Sequence, residues 1–228
     1  MEVWYQELNM LNGSILGSAI ASRVLEKNAP ANVMSLCYNN WIKISTEIVN
    51  YIKERAIVQG MGCTVSNYST QSTMSIEGMN SSELAKNIRD AIIDDNATDN
   101  SKSICYDFWK NVADEIVKHI QNKAKIDRGI SCVSGGSTIS IGRFQSNCMN
   151  SRELAKNIRD SIIKGKEIPN DGKSKSLKIW TIISEELISH IEINGVVNPG
   201  ISGVIDFPVT ITGYSGGNGY LVGIGTIS

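Results

Sequence analysis

Leu84, Ile88 and Ile92 stand four residues apart in the stretch Asn80–Ile93, reading NSSELAKNIRDAII, and Ala91 joins them three after Ile88. Lys86, Arg89 and Asp90 fall off that line. The spacing predicts an amphipathic helix. Trp109, Val112, Ala113, Ile116 and Ile120 follow helical spacing too and predict a second amphipathic helix. Beyond it the composition turns to Gly, Ser, Thr and β-branched residues. Short alternating runs on either side of Gly135-Gly136 there predict a two-residue β-hairpin.

This order comes round three times. The first-helix stretch returns from Asn150 to Ile163 as NSRELAKNIRDSII, and more faintly from Asn12 to Leu25, where Leu16, Ile20 and Val24 hold the apolar places. The second-helix stretch occurs as WIKISTEIVNYI from Trp41, WKNVADEIVKHI from Trp109 and WTIISEELISHI from Trp180. Such recurrence reads as tandem units. The expected fold is α+β, with three tandem repeats, each an amphipathic helix pair followed by a short β-hairpin. The boundaries fall before the caps, giving units 1–79, 80–149 and 150–228, the last with an extended Gly-rich β tail. Asp95 to Lys102 and Lys164 to Lys175 read as polar linkers between the two helices, with Glu26 to Ala31 in their place in the first unit. Gly60, Gly129 and Gly200 read as the breaks between helix and strands.

The first helices carry start signals. Asn80 and Asn150 are N-cap residues, and Glu83 and Glu153 three places on complete a capping-box pattern. Met79 with Leu84, and Met149 with Leu154, have the spacing of a hydrophobic staple; Leu11 and Leu16 keep it in the first unit, where Ile15 replaces the Glu. Trp41, Trp109 and Trp180 are read as core anchors, because an indole buries a large area and all three hold one internal position. A ligand-stacking role is the alternative.

The candidate chemistry is thin. Glu47, Glu115 and Glu186 are the carboxylates that recur in the second helices, one per unit, which is not the close pair that acid–base hydrolysis needs. They read as a solvated or salt-bridged flank. His119 and His190 share an aligned position with Tyr51, so the site wants an amphipathic ring and not a metal ligand or base. The run Gly213 to Gly219 has no Lys-Ser/Thr after it and opens no helix, so it reads as a hairpin or terminal loop and not a phosphate loop. No catalytic residues, cofactor or metal are expected, and the chain reads as no enzyme.

Charge and cysteines narrow the class further. With 22 basic and 23 acidic residues the net charge is −1, so no global field recruits nucleic acid or an anionic membrane. Of five cysteines, Cys37 aligns with Cys105 and Cys63 with Cys132, while Ser176 and Gly203 stand there in the third unit. Equivalent positions in different units lie far apart, so free thiols and assembly in a reducing cytosol are expected. Neither a signal peptide nor a membrane span is apparent.

Leu84-Ala85 with Ile88, Trp41 to Ile52, Trp109 to Ile120, and the terminal Gly223-Ile-Gly-Thr-Ile-Ser228 together resemble small virion structural proteins of tailed bacteriophages. Those pair a LAxxIxxxI helix with a WxxIxxxIVxYI helix and end in a Gly/Thr-rich tail; here the unit stands three times instead of once. The resemblance implies a virion component of the neck, tail, baseplate or capsid surface, made in the host cytoplasm. Its implied partners are other virion proteins and copies of itself. A cytosolic repeat scaffold unrelated to phage is the alternative. End units of an array are commonly atypical, so the hairpins and the tail from Gly213 to Ser228 are expected to contact partners by strand addition, through Tyr214, Asn218, Tyr220, Leu221 and Ile224.

Overall fold

The structure, a computed structural model, describes residues 10–61, 75–127, 142–198 and 223–228. Its helices are α1 (Gly13–Val24), α2 (Ala31–Arg55), α3 (Ser81–Ile92), α4 (Asp99–Lys123), α5 (Ser151–Ile163) and α6 (Asn170–Asn194). Its strands are β1 (Ile57–Met61), β2 (Ser75–Glu77), β3 (Ile126–Asp127), β4 (Gly142–Phe144), β5 (Val196–Asn198) and β6 (Gly223–Ile227). The fold is mostly helical and loosely α+β. Short and long helices alternate, and a strand follows each long one.

α3 and α5 start where the caps at Asn80 and Asn150 predict, and α1 starts the same way at Asn12. Asn12 accepts from the N–H groups of Ser14 and Ile15, Asn80 from that of Ser82, and Asn150 from that of Glu153. The long helices begin about ten residues before their tryptophans, behind Pro30, Thr98 and Pro169. The expected linkers are therefore much shorter, and all of Asp99 to Lys102 and Asn170 to Lys175 is helix. Polar composition misled here because the first turns of each long helix face solvent on most sides. The helix–strand breaks also move. Each long helix ends at an extended small residue (Ala56, Ala124 or Gly195), and a strand begins at once or after one residue. Gly60 lies inside β1, while β3 and β5 begin before Gly129 and Gly200. At Gly195 a Cβ would stand 2.6 Å from the Phe144 ring, so glycine lets that strand close onto the helix end.

Helix packing is cyclic. α1 packs on α2, α3 on α4 and α5 on α6; then α2 packs on α3, α4 on α5, and α6 on α1. The α1–α2 contact is very close: a Cβ on Gly13 would meet the Thr46 backbone at 2.3 Å, and one on Gly17 the Ile42 backbone at 2.5 Å. Ser81 and Ala85, then Ser151 and Ala155, take these places in α3 and α5. Ala85 and Ala155 are fully buried. The buried alanine of α3 is thus Ala85, facing its partner helix, and not Ala91, which is only half-buried. Leu11, Met79 and Met149 are buried with Leu16, Leu84 and Leu154, as the staple spacing requires.

The strands form one six-stranded antiparallel sheet in the order β2-β1-β6-β5-β4-β3. β1 pairs with β2, β3 with β4, and β5 with β6, and these pairs join through β1–β6 and β4–β5. Val58, Ile76, Phe144, Val197 and Ile227 bury against the helices. The predicted turn at Gly135-Gly136 and the run Gly213 to Gly219 lie outside the described residues, as do Tyr214, Asn218, Tyr220 and Leu221. Ile224 lies in β6, whose two edges are taken by β1 and β5. Strand addition by a partner therefore cannot use Thr226, which is paired on both sides within the chain.

Trp109 and Trp180 are 6% and 8% exposed, and Trp41 is half-buried against the same core. Trp109→Ala should cost about 3–5 kcal/mol in chemical denaturation, and Trp41→Ala clearly less. Equal costs would contradict the unequal burial. Truncation after Val222 should lower the melting temperature sharply, since it removes a central strand and the buried Ile227. An unchanged melt would mean that β6 holds nothing together.

Candidate functional site

The best-defined polar chemistry sits where one helix pair meets the next. At the joint between α2 and α3, the Tyr51 hydroxyl accepts from the Asn80 N–H and donates to the Asn80 carbonyl at 2.8 Å. At the joint between α6 and α1, His190 Nε2 accepts from the Asn12 N–H at 2.9 Å, and its Nδ1 lies 3.0 Å from the Asn194 side-chain amide. The ring that sequence alignment left without a task thus reaches the N-cap backbone of the following short helix. At the α4–α5 joint His119 occupies the equivalent place, and its Nε2 is buried without a hydrogen bond.

The capping-box expectation needs correcting at this point. The Asn half is present, but the N-cap N–H of Asn80 goes to Tyr51 and not back to Glu83. Glu83 instead pairs with Arg55, and Glu153 pairs with Lys123 at 3.1 Å, each across a joint. The third joint has Ile15 and Asn194 in those places. It is held by Arg23, which reaches Glu186 at 2.6 Å and Glu185 at 2.8 Å. The signal was legible: where the short helix carries Glu the preceding long helix carries Arg or Lys, and where it carries Ile, Asn. These ion pairs are exposed and stabilise little individually, so they specify which face meets which.

The remaining candidates separate. Glu186 is salt-bridged as a flank residue should be. Glu115 lines a shallow polar groove of about 590 Å³ with Asn80, Ser81, Asp114, Lys118 and Gln121. Asp114 there is held by Lys110 and by the Ser81 hydroxyl. Burial, with Glu54 nearby, raises the Glu47 carboxyl above its ordinary range. Among the described residues no three of His, Cys, Asp and Glu stand together as a metal set. Cys37, Cys105 and Cys148 are free and half-buried, and burial raises each thiol; Cys63 and Cys132 lie outside the described residues. No described helix is long and apolar enough to cross a membrane.

A second feature escaped the sequence. Val33, Met34, Leu36, Ile104, Phe108 and Ile179 are exposed, and all lie in the first ten or so residues of a long helix. Phe108 packs edge-on to Trp109, with centroids 5.4 Å apart, and lies 6.4 Å from Trp180, so α4 and α6 meet there. The arrangement offers apolar contact area and fixed joints; among the described residues it brings no acid, base and nucleophile together. Comparisons with family models, curated proteins and solved structures found no match.

Burial depresses both imidazoles below the ordinary histidine value; Glu186 opposes this at His190, and at His119 Glu153 opposes it while Lys123 adds to it. As pH falls, the unfolded chain therefore takes up these protons first. Their contribution is complete above about pH 6.5 and is lost as pH falls through the lower folded values. The melting temperature should fall with acidification over that range. Replacing His119 and His190 by Tyr, the residue of the first joint, should remove most of the fall. A profile unchanged by the double replacement would place the titration elsewhere.

Proposed function

We propose that the chain is a non-enzymatic structural component of a tailed-phage virion, in the neck, tail, baseplate or capsid surface, that mediates subunit–subunit assembly. In this reading it is three tandem copies of one helix-pair-and-hairpin unit, 1–79, 80–149 and 150–228, made in the host cytoplasm and carried in the particle. Its partners are other virion proteins and copies of itself, without direct contact to nucleic acid or membrane.

The observation that carries the reading is the cyclic order of contacts. Each long helix packs on the short helix of its own pair and on that of the next, and the last pair returns to the first. Strands follow the same rule: α2 rests on β6, α6 on β4 and α4 on β2, so each long helix covers the closing strand of the preceding pair. A unit of about 70 residues is marginal alone. A protein with one such unit would need two more copies to cover its open faces, and this chain supplies all three. One polypeptide then has the shape of a closed trimeric ring, a form suited to the axial parts of a particle with rotational symmetry. The joints are dedicated to holding units together, which fits an assembly part better than a catalyst.

The test is compositional. Gradient-purified particles of the phage encoding the chain should contain it at a fixed copy number by quantitative mass spectrometry, and antibody label should fall on one place. Finding it in the infected-cell lysate but never in particles would reject the virion role and favour a cytosolic scaffold.

A further inference from the structure

The long helices all enter the one sheet at their C-terminal ends, through β1, β3 and β5. Twenty-five residues of helix, about 37 Å long, separate that sheet from the opposite end. The far end is built from three tips: the α1–α2, α3–α4 and α5–α6 turns with the first turns of each long helix. Most of the exposed large apolar side chains lie on or just behind these tips; Ile15 and Ile193, at the sheet end, are exceptions. Val33 is 45%, Leu36 62%, Ile104 62% and Ile179 47% exposed. Among the described residues nothing covers them.

The tips differ in charge in a patterned way. The first, from Glu26 to Leu36, has one acid and one base and is the most apolar. The second, Asp94 to Ile104, has Asp94, Asp95 and Asp99 against Lys102, whose ammonium group is turned onto the Asp95 carbonyl. The third, Lys164 to Lys175, has Lys164, Lys166, Lys173 and Lys175 against Glu167 and Asp171, with Lys175 and Asp171 loosely paired at 3.8 Å. One face therefore holds a neutral apolar tip, an acidic tip and a basic tip.

We propose that this face is a self-association surface on which a second copy of the chain docks end to end. A two-fold axis lying in the docking plane, perpendicular to the axis of the helix ring and passing through the first tip, maps that tip onto itself and exchanges the other two. Under that operation apolar meets apolar, and the acidic tip of each copy meets the basic tip of the other, twice. An isologous contact demands this kind of self-complementarity. The apolar side chains supply the area removed from water and the charges fix the rotation, since any other rotation opposes like tips at least once. The inference does not depend on the virion reading.

Sedimentation of the full chain tests it. A dimer is expected, with dissociation at least about tenfold weaker at ~0.5 M than at ~0.05 M salt, since screening acts on exposed charges. Leu36→Asp with Ile104→Asp should give a monomer with an unchanged melting temperature, because both side chains are mostly in solvent already. The charge-reversal pair is decisive. A chain with Lys164, Lys166 and Lys173 changed to Glu, and another with Asp94, Asp95 and Asp99 changed to Lys, should each be monomeric. Mixed together they should form a heterodimer, in which both acid–base contacts are restored. A wild-type chain that stays monomeric at low salt overturns the proposal. So does a dimer that survives either set of replacements, since it must use another face, or a mixture of the two reversed chains that fails to associate.

Discussion

Each long helix in this protein has two apolar faces, and no single short helix can cover both. Residues such as Ile48, Val49, Tyr51 and Ile52 are all buried within one turn and a half of α2, which leaves solvent access on only part of the circumference. α1 takes one face and α3 the other. The same need recurs at α4 and α6. A linear array would satisfy the inner helix and leave an open face at an end, at a cost of about 25 cal/mol for each Å² of apolar surface left wet. Returning α6 onto α1 removes the open end. The sheet order, with the terminal strand lodged between β1 and β5, is the same closure expressed in the backbone.

The helices were legible because their information is local. Periodicity placed the six described helices, and the Asn caps at 80 and 150 placed two starts to within a residue. What escaped was set by contacts between distant parts of the chain. The starts of the long helices were lost because Asp99 to Ser103 and Asn170 to Lys175 have loop-like composition and owe their helical state to the apolar remainder of the same helix. β6 was read as free because nothing in Gly223 to Ile227 says that its partners lie nearly 170 residues away in β1. Ala85 was passed over for Ala91 because both fit a helical stripe; only the close helix crossing, visible as Gly17 in α1, distinguishes them. Of the candidate site, the sequence showed that position 51, 119 or 190 must hold an amphipathic ring, but not what the ring's polar atom was for.

That atom has a clear physical task. A helix start leaves N–H groups without intrahelical partners, and burying one unpaired costs on the order of 1–3 kcal/mol. The Asn side chains meet the N–H groups of the first turn, and the residue at the cap itself still needs an acceptor. Tyr51 and His190 provide it from the neighbouring pair. Using a tertiary acceptor makes the starts of α1 and α3 depend on the preceding helix pair. The glutamates released from capping are then free to form the cross-joint pairs with Arg55 and Lys123.

Covalent linkage also changes what the joints and tips can be. Three identical subunits in a ring must present three identical joints and three identical tips. Within one chain corresponding positions need not match, and here they differ unevenly. Most buried positions stay apolar in all three pairs, because a change in volume there would be felt throughout a close-packed core; Ser45, Ser184 and the two histidines are the polar exceptions. The surface positions differ: Glu with a base at two joints and Ile15 with Asn194 at the third, and a neutral, an acidic and a basic tip. Geometry alone leaves three rotations open to anything that binds along the axis of a symmetric ring. Unlike tips remove that degeneracy, because electrostatic mismatch penalises the wrong rotations without adding contact area. The physical consequence of joining the three helix pairs in one chain is thus a cyclic packing order inside with tips that differ in charge outside.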